Sequence, residues 1–420
     1  MTRRLLLLAC IAPFVFAQTP KDVRAAAKEG NITKLAAYLD ARSLDTRIET
    51  VKELVALGGK DSIDPLIRAT NDADPEVQIR ATDGLVNFYL PGYVKQGIGS
   101  TLVRAGATIR AKFGDTNNQV IDPFVTVRPE VIGALGKLAR GGASLDARAN
   151  ACRAIGILRG DAALDPLIEA LHTKDNNVMY EALIAIQKLR DPAAGPRIVF
   201  LLRDLDDRVQ MAAIETAGLL RATGGLPTLR DIVSSPRNSK VERAALFAIS
   251  NMPGPEDRAL FQRQLASKDD RLRAAAAEGL GRIKNPADEP ALEKLWHEED
   301  KMAPRLAAAF GLVLEGKLEL GDDAPFRYLI NTLNSAVWQQ TAYAYLVEAS
   351  REPRVLAALY GPIGQTGSPR DERIWLARVL AASGDTGTVP VLEKTSQDED
   401  KDVAQEGLRA LRSLKARLGV

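Results

Sequence analysis

At 420 residues, with 46% hydrophobic and 5% aromatic content, the chain is long enough for two or three ordinary domains and too apolar for a disordered one. Its 56 basic and 54 acidic residues leave a formal charge of +2, so net charge invites no polyanionic partner. Two cysteines and two histidines exclude a disulfide framework and a metal centre built on several imidazoles.

Arg3 and Arg4 precede an apolar run over 5–16, and Val15-Phe16-Ala17 places small side chains where a signal peptidase reads them. Residues 1–17 therefore read as an export signal cleaved after Ala17, with a periplasmic or extracellular destination. Two rival readings stand beside it. Leu7-Leu8-Ala9-Cys10 resembles a lipoprotein box that would anchor the chain through Cys10, and Thr2-Arg3-Arg4 resembles a twin-arginine start. A run of about twelve apolar residues falls short of the ~20 that span a bilayer. Cleavage removes two arginines and no acid, bringing the formal charge from +2 to zero, and it leaves Cys152 without a disulfide partner. Residues 18–42 read as N-terminal capping helices that cover the open face of the first repeat unit.

From residue 43 to the C-terminus one unit repeats. Ser43 to Asp74, Ser144 to Asp175, Asp175 to Asp206 and Asn238 to Asp269 are each 31 residues apart, and every one of these residue types can cap a helix. Three residues past each cap a helix starts, at Thr46, Val77, Ala147, Val178, Val209, Val241, Leu272, Val337 after Asn334, and Val403 after Asp400. Four places on stand Thr50, Ala81, Ala151, Ala182, Ala213, Ala245 and Ala276, small enough to let a neighbouring helix approach. Eight places on stand Leu54, Leu85, Ile155, Ile186, Ile249 and Leu280, completing an apolar stripe at helical spacing. A second helix is announced by Pro65, Pro166, Pro196, Pro227, Pro290, Pro325 and Pro390, each placed for a first helical turn, where the missing N–H is not needed. Neither helix buries its stripe alone. The expected fold is all-α: an α-solenoid of stacked antiparallel helix pairs, wound as a right-handed superhelix, with a period of about 31 residues. The period fails between Val77 and Ala147, so an insertion or irregular unit is expected near 97–124, with a recovered first helix starting at Val127. A longer loop is expected over 361–369.

The Asp-x-x-Val-Arg-x-x-Ala-x-x-Ala-Leu-Gly pattern followed by a proline-led helix resembles the short HEAT-like repeat. Asp269-Asp270-Arg271-Leu272-Arg273, with Ala276, Gly279, Leu280 and Gly281, is the best copy, and the resemblance extends over about 43–418. It brings two enzyme precedents, phycobilin lyases and deoxyhypusine hydroxylase. The hydroxylase holds its irons with several His-Glu pairs. Here only His297-Glu298 forms one, and His172 and His297 read as surface residues near the ends of second helices. No chromophore-directed residue set appears. Cys152 falls in a column that elsewhere holds Val51, Leu183, Ile214 and Leu246, which marks it as a buried small hydrophobe. Asp206-Asp207 and Asp269-Asp270 sit at caps, where helix-end electrostatics accounts for them.

No catalytic, cofactor or metal residue is therefore assigned, and the expected function is an exported, non-catalytic scaffold with a protein partner. A lyase-like or oxidoreductase-like enzyme or accessory, and a structural envelope component, are the alternatives. In HEAT-like proteins the second helices are expected to line the concave face, which would display Arg230, Glu293 and Tyr328 among residues of mixed sign. Aromatics gather in the last third, so Tyr328, Trp338, Tyr343 and Trp375 join Arg230 and Glu293 as candidate partner-binding residues. The aromatic run over 88–93, beside the insertion, is a further candidate.

Overall fold

The computed structural model describes residues 18–94, 119–365 and 367–420, so the expected export signal and most of the expected insertion lie outside the described residues. In chain order the helices are α1 (Pro20–Lys28), α2 (Ile32–Tyr38), α3 (Leu44–Leu57), α4 (Ile63–Ala69), α5 (Pro75–Tyr89), α6 (Pro129–Gly141), α7 (Leu145–Ile157), α8 (Leu164–Ala170), α9 (Asn176–Leu189), α10 (Gly195–Ile198), α11 (Asp207–Leu219) and α12 (Leu226–Ser234). They continue as α13 (Ser239–Ser250), α14 (Arg258–Gln264), α15 (Asp270–Ile283), α16 (Glu289–Glu298), α17 (Met302–Glu315), α18 (Pro325–Thr332), α19 (Gln339–Ala349), α20 (Pro353–Ala358), α21 (Tyr360–Gly364), α22 (Arg370–Ser383), α23 (Val389–Thr395) and α24 (Lys401–Leu418). No strand occurs among the described residues.

Two layers result. The first helices of the pairs stack in the order α3, α5, α7, α9, α11, α13, α15, α17, α19, α22, α24, and the second helices cover their other side. Side-chain caps set most first-helix starts: Asp175 accepts from the Val178 amide at 2.9 Å, Asp206 from Arg208 and Val209 at 3.0 Å, and Asn238 from Lys240 and Val241 at 3.0 Å. Each such cap is worth ~1 kcal/mol. The alanine column from Ala81 to Ala308 and the leucine/isoleucine column from Leu54 to Leu280 are sealed from solvent and form one continuous core. Glycine lets the stack tighten further. A Cβ on Gly281 would stand 2.3 Å from the Gly311 Cα, so α15 and α17 touch backbone to backbone there.

Two departures correct the sequence reading. Val127 does not open a first helix. The helix starts at Pro129, and α6 packs with the second helices α4 and α8, while the first helices α5 and α7 pack directly on one another. No repeat is missing; residues 90–128 are inserted between the two helices of a single pair. The described end of that insertion is pinned by the Ile121 amide, which donates to the Ile157 carbonyl at 3.0 Å.

Asn334 does not cap the next helix either. Its side chain donates to the Asn331 carbonyl and to Glu372, α19 starts five residues later, and Val337, expected in a buried column, is 78% exposed. The repeat carrying α19 is displaced, and behind it Arg327 of α18 reaches the fully buried Glu372 of α22 through two bonds of 3.1 and 2.9 Å. The loop expected over 361–369 is helical at its start, where α21 ends at Gly364.

Candidate partner-binding face

Contacts that skip one or more repeats identify the concave side. Arg221, just past α11, pairs with Glu348 of α19 at 2.9 Å, although 127 residues separate them. Arg282 of α15 binds the same Glu348 at 2.8 Å and Glu278 of its own helix at 2.8 Å. The Tyr345 hydroxyl donates to Glu278 at 2.5 Å, and its ring stacks on Phe310 of α17 at 4.4 Å. Lys284 pairs with Glu352, and Arg409 of α24 pairs with Asp122 across 287 residues. All these partners lie on first helices, at their C-terminal ends, in the turn after α19 or in the inserted segment. The first helices therefore face inward, which reverses the expectation that second helices line the concavity.

The second-helix residues are instead committed to their neighbours. Arg230 binds Asp257 and Glu256 at 2.7 Å, Glu293 lies 3.4 Å from Lys317, and Tyr328 donates to the Met302 sulfur at 3.0 Å with its ring edge-on to Trp296. Burial raises the Tyr328 phenol above its ordinary value, and Arg305 opposes the shift. Trp338 is half-buried at the start of α19, where its amide donates to the Ser335 hydroxyl. Of the candidate residues, the structure brings together Tyr343 and Trp375, edge to face at 5.6 Å with Arg378 over the indole at 4.4 Å. Tyr328, Trp338, Arg230 and Glu293 are dispersed. In the run over 88–93, Phe88 packs edge-on against Tyr89, whose hydroxyl accepts from the Arg128 amide at 3.2 Å.

The inner face has three parts. At the N-terminal side Arg153 and Glu181, 3% and 0% exposed, form a buried pair at 2.9 Å, with Asn150 bridging to Asp83. Burial lifts the Glu181 carboxyl, and Arg153 pulls it back only in part. The same burial pushes the Lys188 ammonium down to about 8, against the pull of Glu181. At the C-terminal side burial raises Glu278. It would raise Glu348 too, but Arg282 and Arg221 outweigh it and hold that carboxyl below its ordinary value. Between them the face is open. Glu215 and Leu219 lie one turn apart on α11, and Phe247 fills on α13 the column that Glu215 fills on α11. Leu219 is 39% and Phe247 45% exposed. Glu215 has no ion pair or hydrogen bond among the described residues, and the walls of the concavity desolvate its carboxyl and raise it. Had the first helix been read as inward-facing, the sequence column would have named these residues.

One edge of this face carries a second column. The residue twelve places past each first-helix start has a left-handed backbone at Gly58, Arg159, Arg190, Arg221, Lys284 and Gly316, with φ between 50° and 110°. A non-glycine residue there costs ~1–2 kcal/mol, while a cation at a helix C-terminus returns ~0.3–1 kcal/mol. Turn chemistry alone thus favours glycine, which the chain uses toward both ends of the solenoid and not in its middle.

The residues with nucleophilic or metal-ligating side chains singled out above lie apart among the described residues. Cys152 is sealed, and burial pushes its thiol up to about 12. His172 stacks on Phe200 at 4.8 Å, in a repeat far from His297. Among the described residues no group of three His, Cys, Asp or Glu is placed to hold a metal ion, and no helix is long and apolar enough to cross a membrane. Shallow hollows of about 410 Å³ beside His172 and about 470 Å³ beside Glu293 lie outside the open stretch of the inner face.

Stacked antiparallel pairs with one continuous seam define an α-solenoid. A family model described as HEAT repeats matches residues 132–218 and 226–313, and the chain is a HEAT-like repeat protein over those residues. Among solved structures it is similar to the complex of CpcE and CpcF of phycocyanin lyase from Nostoc sp. PCC7120, at 20% identity over 65% of this chain and 94% of that one, with a TM-score of 0.38. Importin beta is similar at 13% identity over 93% of this chain and 57% of that one, TM-score 0.40. Human deoxyhypusine hydroxylase is similar at 17% identity over 68% and 96%, TM-score 0.28. These likenesses bear on the fold alone. No curated protein sequence matches the chain.

Proposed function

We propose that the protein is an exported, non-catalytic HEAT-repeat scaffold that holds a protein partner against the inner face of its middle repeats. The observation that carries this reading is the open stretch formed by Phe247, Leu219 and the partnerless Glu215, between two stretches closed by buried ion pairs. Apolar side chains exposed around one unneutralised carboxylate suit a protein surface and oppose a phosphate backbone. Export rests on Arg3, Arg4 and the apolar run before Ala17.

The test is crosslinked capture from the exported fraction with the full chain. Phe247→Glu combined with Leu219→Glu should abolish capture of the wild-type partner, while Arg230→Glu on the outer layer should leave it. Equal capture by both variants defeats the reading, as does stoichiometric iron or a bound chromophore in the purified protein. A mature N-terminus at Gln18 supports export; an intact Met1 in the exported fraction, or a lipid on Cys10, contradicts cleavage after Ala17.

A further inference from the structure

The left-handed column gives the partner a chemistry. Arg159, Arg190, Arg221 and Lys284 stand at successive steps of the repeat along one edge of the inner face, with the step at Pro253 left out. Neighbouring helices in such a stack lie ~8–10 Å apart, so each side chain is one rung of a cationic ladder. The chain itself occupies two rungs. Glu348 takes Arg221 and Glu352 takes Lys284, both glutamates coming from the end of α19 and the turn after it. Arg159 and Arg190 are exposed, and neither makes an ion pair among the described residues. Arg190 is within electrostatic reach of the Tyr343 hydroxyl, so the free rungs adjoin the segment that fills the others.

Glycine serves this backbone position at Gly58 and at Gly316, where a Cβ would stand 2.6 Å from the Arg354 guanidinium. The middle repeats have taken cations at a position that the turn would fill better with glycine, and where the cations are engaged the chain has spent glutamates on them.

We propose that Arg159 and Arg190 form a docking strip for an acidic segment of the partner protein, which continues along the edge the interface that Glu348 and Glu352 already make with Arg221 and Lys284. This rests on the scaffold reading and assigns the charge of the segment that the scaffold recognises. Glu348 and Glu352, four residues apart, reach cations two steps apart, so two carboxylates at that spacing have reach to spare for the single step from Arg159 to Arg190. A nucleic acid is disfavoured, because two free cations are too few to follow a run of phosphates.

The experiment uses the full-length protein and a fluorescent peptide bearing two glutamates four residues apart, titrated by anisotropy, with a glutamine version and a single-stranded oligonucleotide of equal length as comparators. The glutamate peptide should saturate, weaken as salt rises, and bind at least about tenfold more tightly than either comparator. Arg159→Gly with Arg190→Gly should weaken it at least about tenfold while the melting temperature holds or rises, since glycine suits the left-handed backbone. A purely structural role for these arginines predicts the same thermal result with unchanged binding, and that result overturns the proposal. So do equal binding of the glutamine peptide, tighter binding of the oligonucleotide, and absence of saturation by any probe. If the double glycine variant still captures the partner that Phe247→Glu with Leu219→Glu loses, the strip fails and the scaffold reading stands. If capture ignores the inner face altogether, the scaffold reading fails whatever the peptide does.

Discussion

The repeats from α9 to α15 and the repeat built on α19 share the helix-pair plan with different outcomes. In the former an Asp or Asn cap, an alanine column and a leucine or isoleucine column keep each first helix in line with its neighbours. In the latter Asn334 turns away, Trp338 takes the cap position without a side-chain bond, and α19 starts late. The displaced helix crosses the concave side, where Tyr345, Glu348 and Glu352 meet residues two repeats upstream and Glu348 also meets Arg221 four repeats upstream. Regular repeats supply a wall, and one irregular repeat supplies what lies against it. The late gathering of aromatics has this origin in part: Tyr345 and Tyr343 pack across and along the inner face as well as within the core.

The contrast is most sharply tested at the cross-link itself. Arg282→Ala should leave Glu278 buried and Glu348 short of its strongest partner, costing about 3–5 kcal/mol in denaturant unfolding and enlarging the hydrodynamic radius. A loss below about 1 kcal/mol would mean that α19 does not hold the wall.

Backbone contact is next. Gly281→Ala forces α15 from α17 and should cost about 1–3 kcal/mol, whereas Gly364→Ala, with nothing within 4 Å of its new Cβ, should change stability by less than about 0.5 kcal/mol.

Lys188 tests the wall's buried polar end, with Glu181 and Arg153 as the charges facing it. Its folded value of about 8 lies below the ordinary 10.5, so below pH 8 the folded state carries a buried charge at a cost. Between pH 8 and 10.5 the folded state has shed the proton and the unfolded state has not, so wild-type stability should rise with pH through this window. Lys188→Met should accordingly stabilise the protein by about 1–2 kcal/mol at pH 7, and the advantage should shrink as pH climbs. Equal pH profiles for the two proteins would rule this out.

The smallest effects concern the caps. Asp175→Ala should cost about 1 kcal/mol through the lost bond to the Val178 amide, and Asn334→Ala less than about 0.5 kcal/mol, since Asn334 caps no helix. Comparable losses would restore the regular reading of the α19 repeat.

Much of this was legible in the residues. The 31-residue spacing, the buried columns and the first-turn prolines gave the layers, and Cys152 was correctly placed by the company it keeps in its column. The helix after the expected insertion was assigned to the wrong layer, because Val127 and Pro129 both look like helix starts and only packing shows that α6 belongs to the outer layer. Arg230 and Glu293 followed from a wrong choice of inner helix. Tyr343 and Trp375 were singled out and do pack on one another, while Phe247, Leu219 and Glu215, which form the proposed face, were not singled out.

The sequence by itself determined which faces of the helices are apolar, where most helices start and that the pairs must stack, since caps, prolines and the helical period act within a few residues. Only the tertiary structure decided which layer turns inward and that Arg221 meets Glu348. Those outcomes depend on a small rotation per repeat accumulated over many repeats, and on one helix leaving the register, neither of which any local stretch of residues encodes.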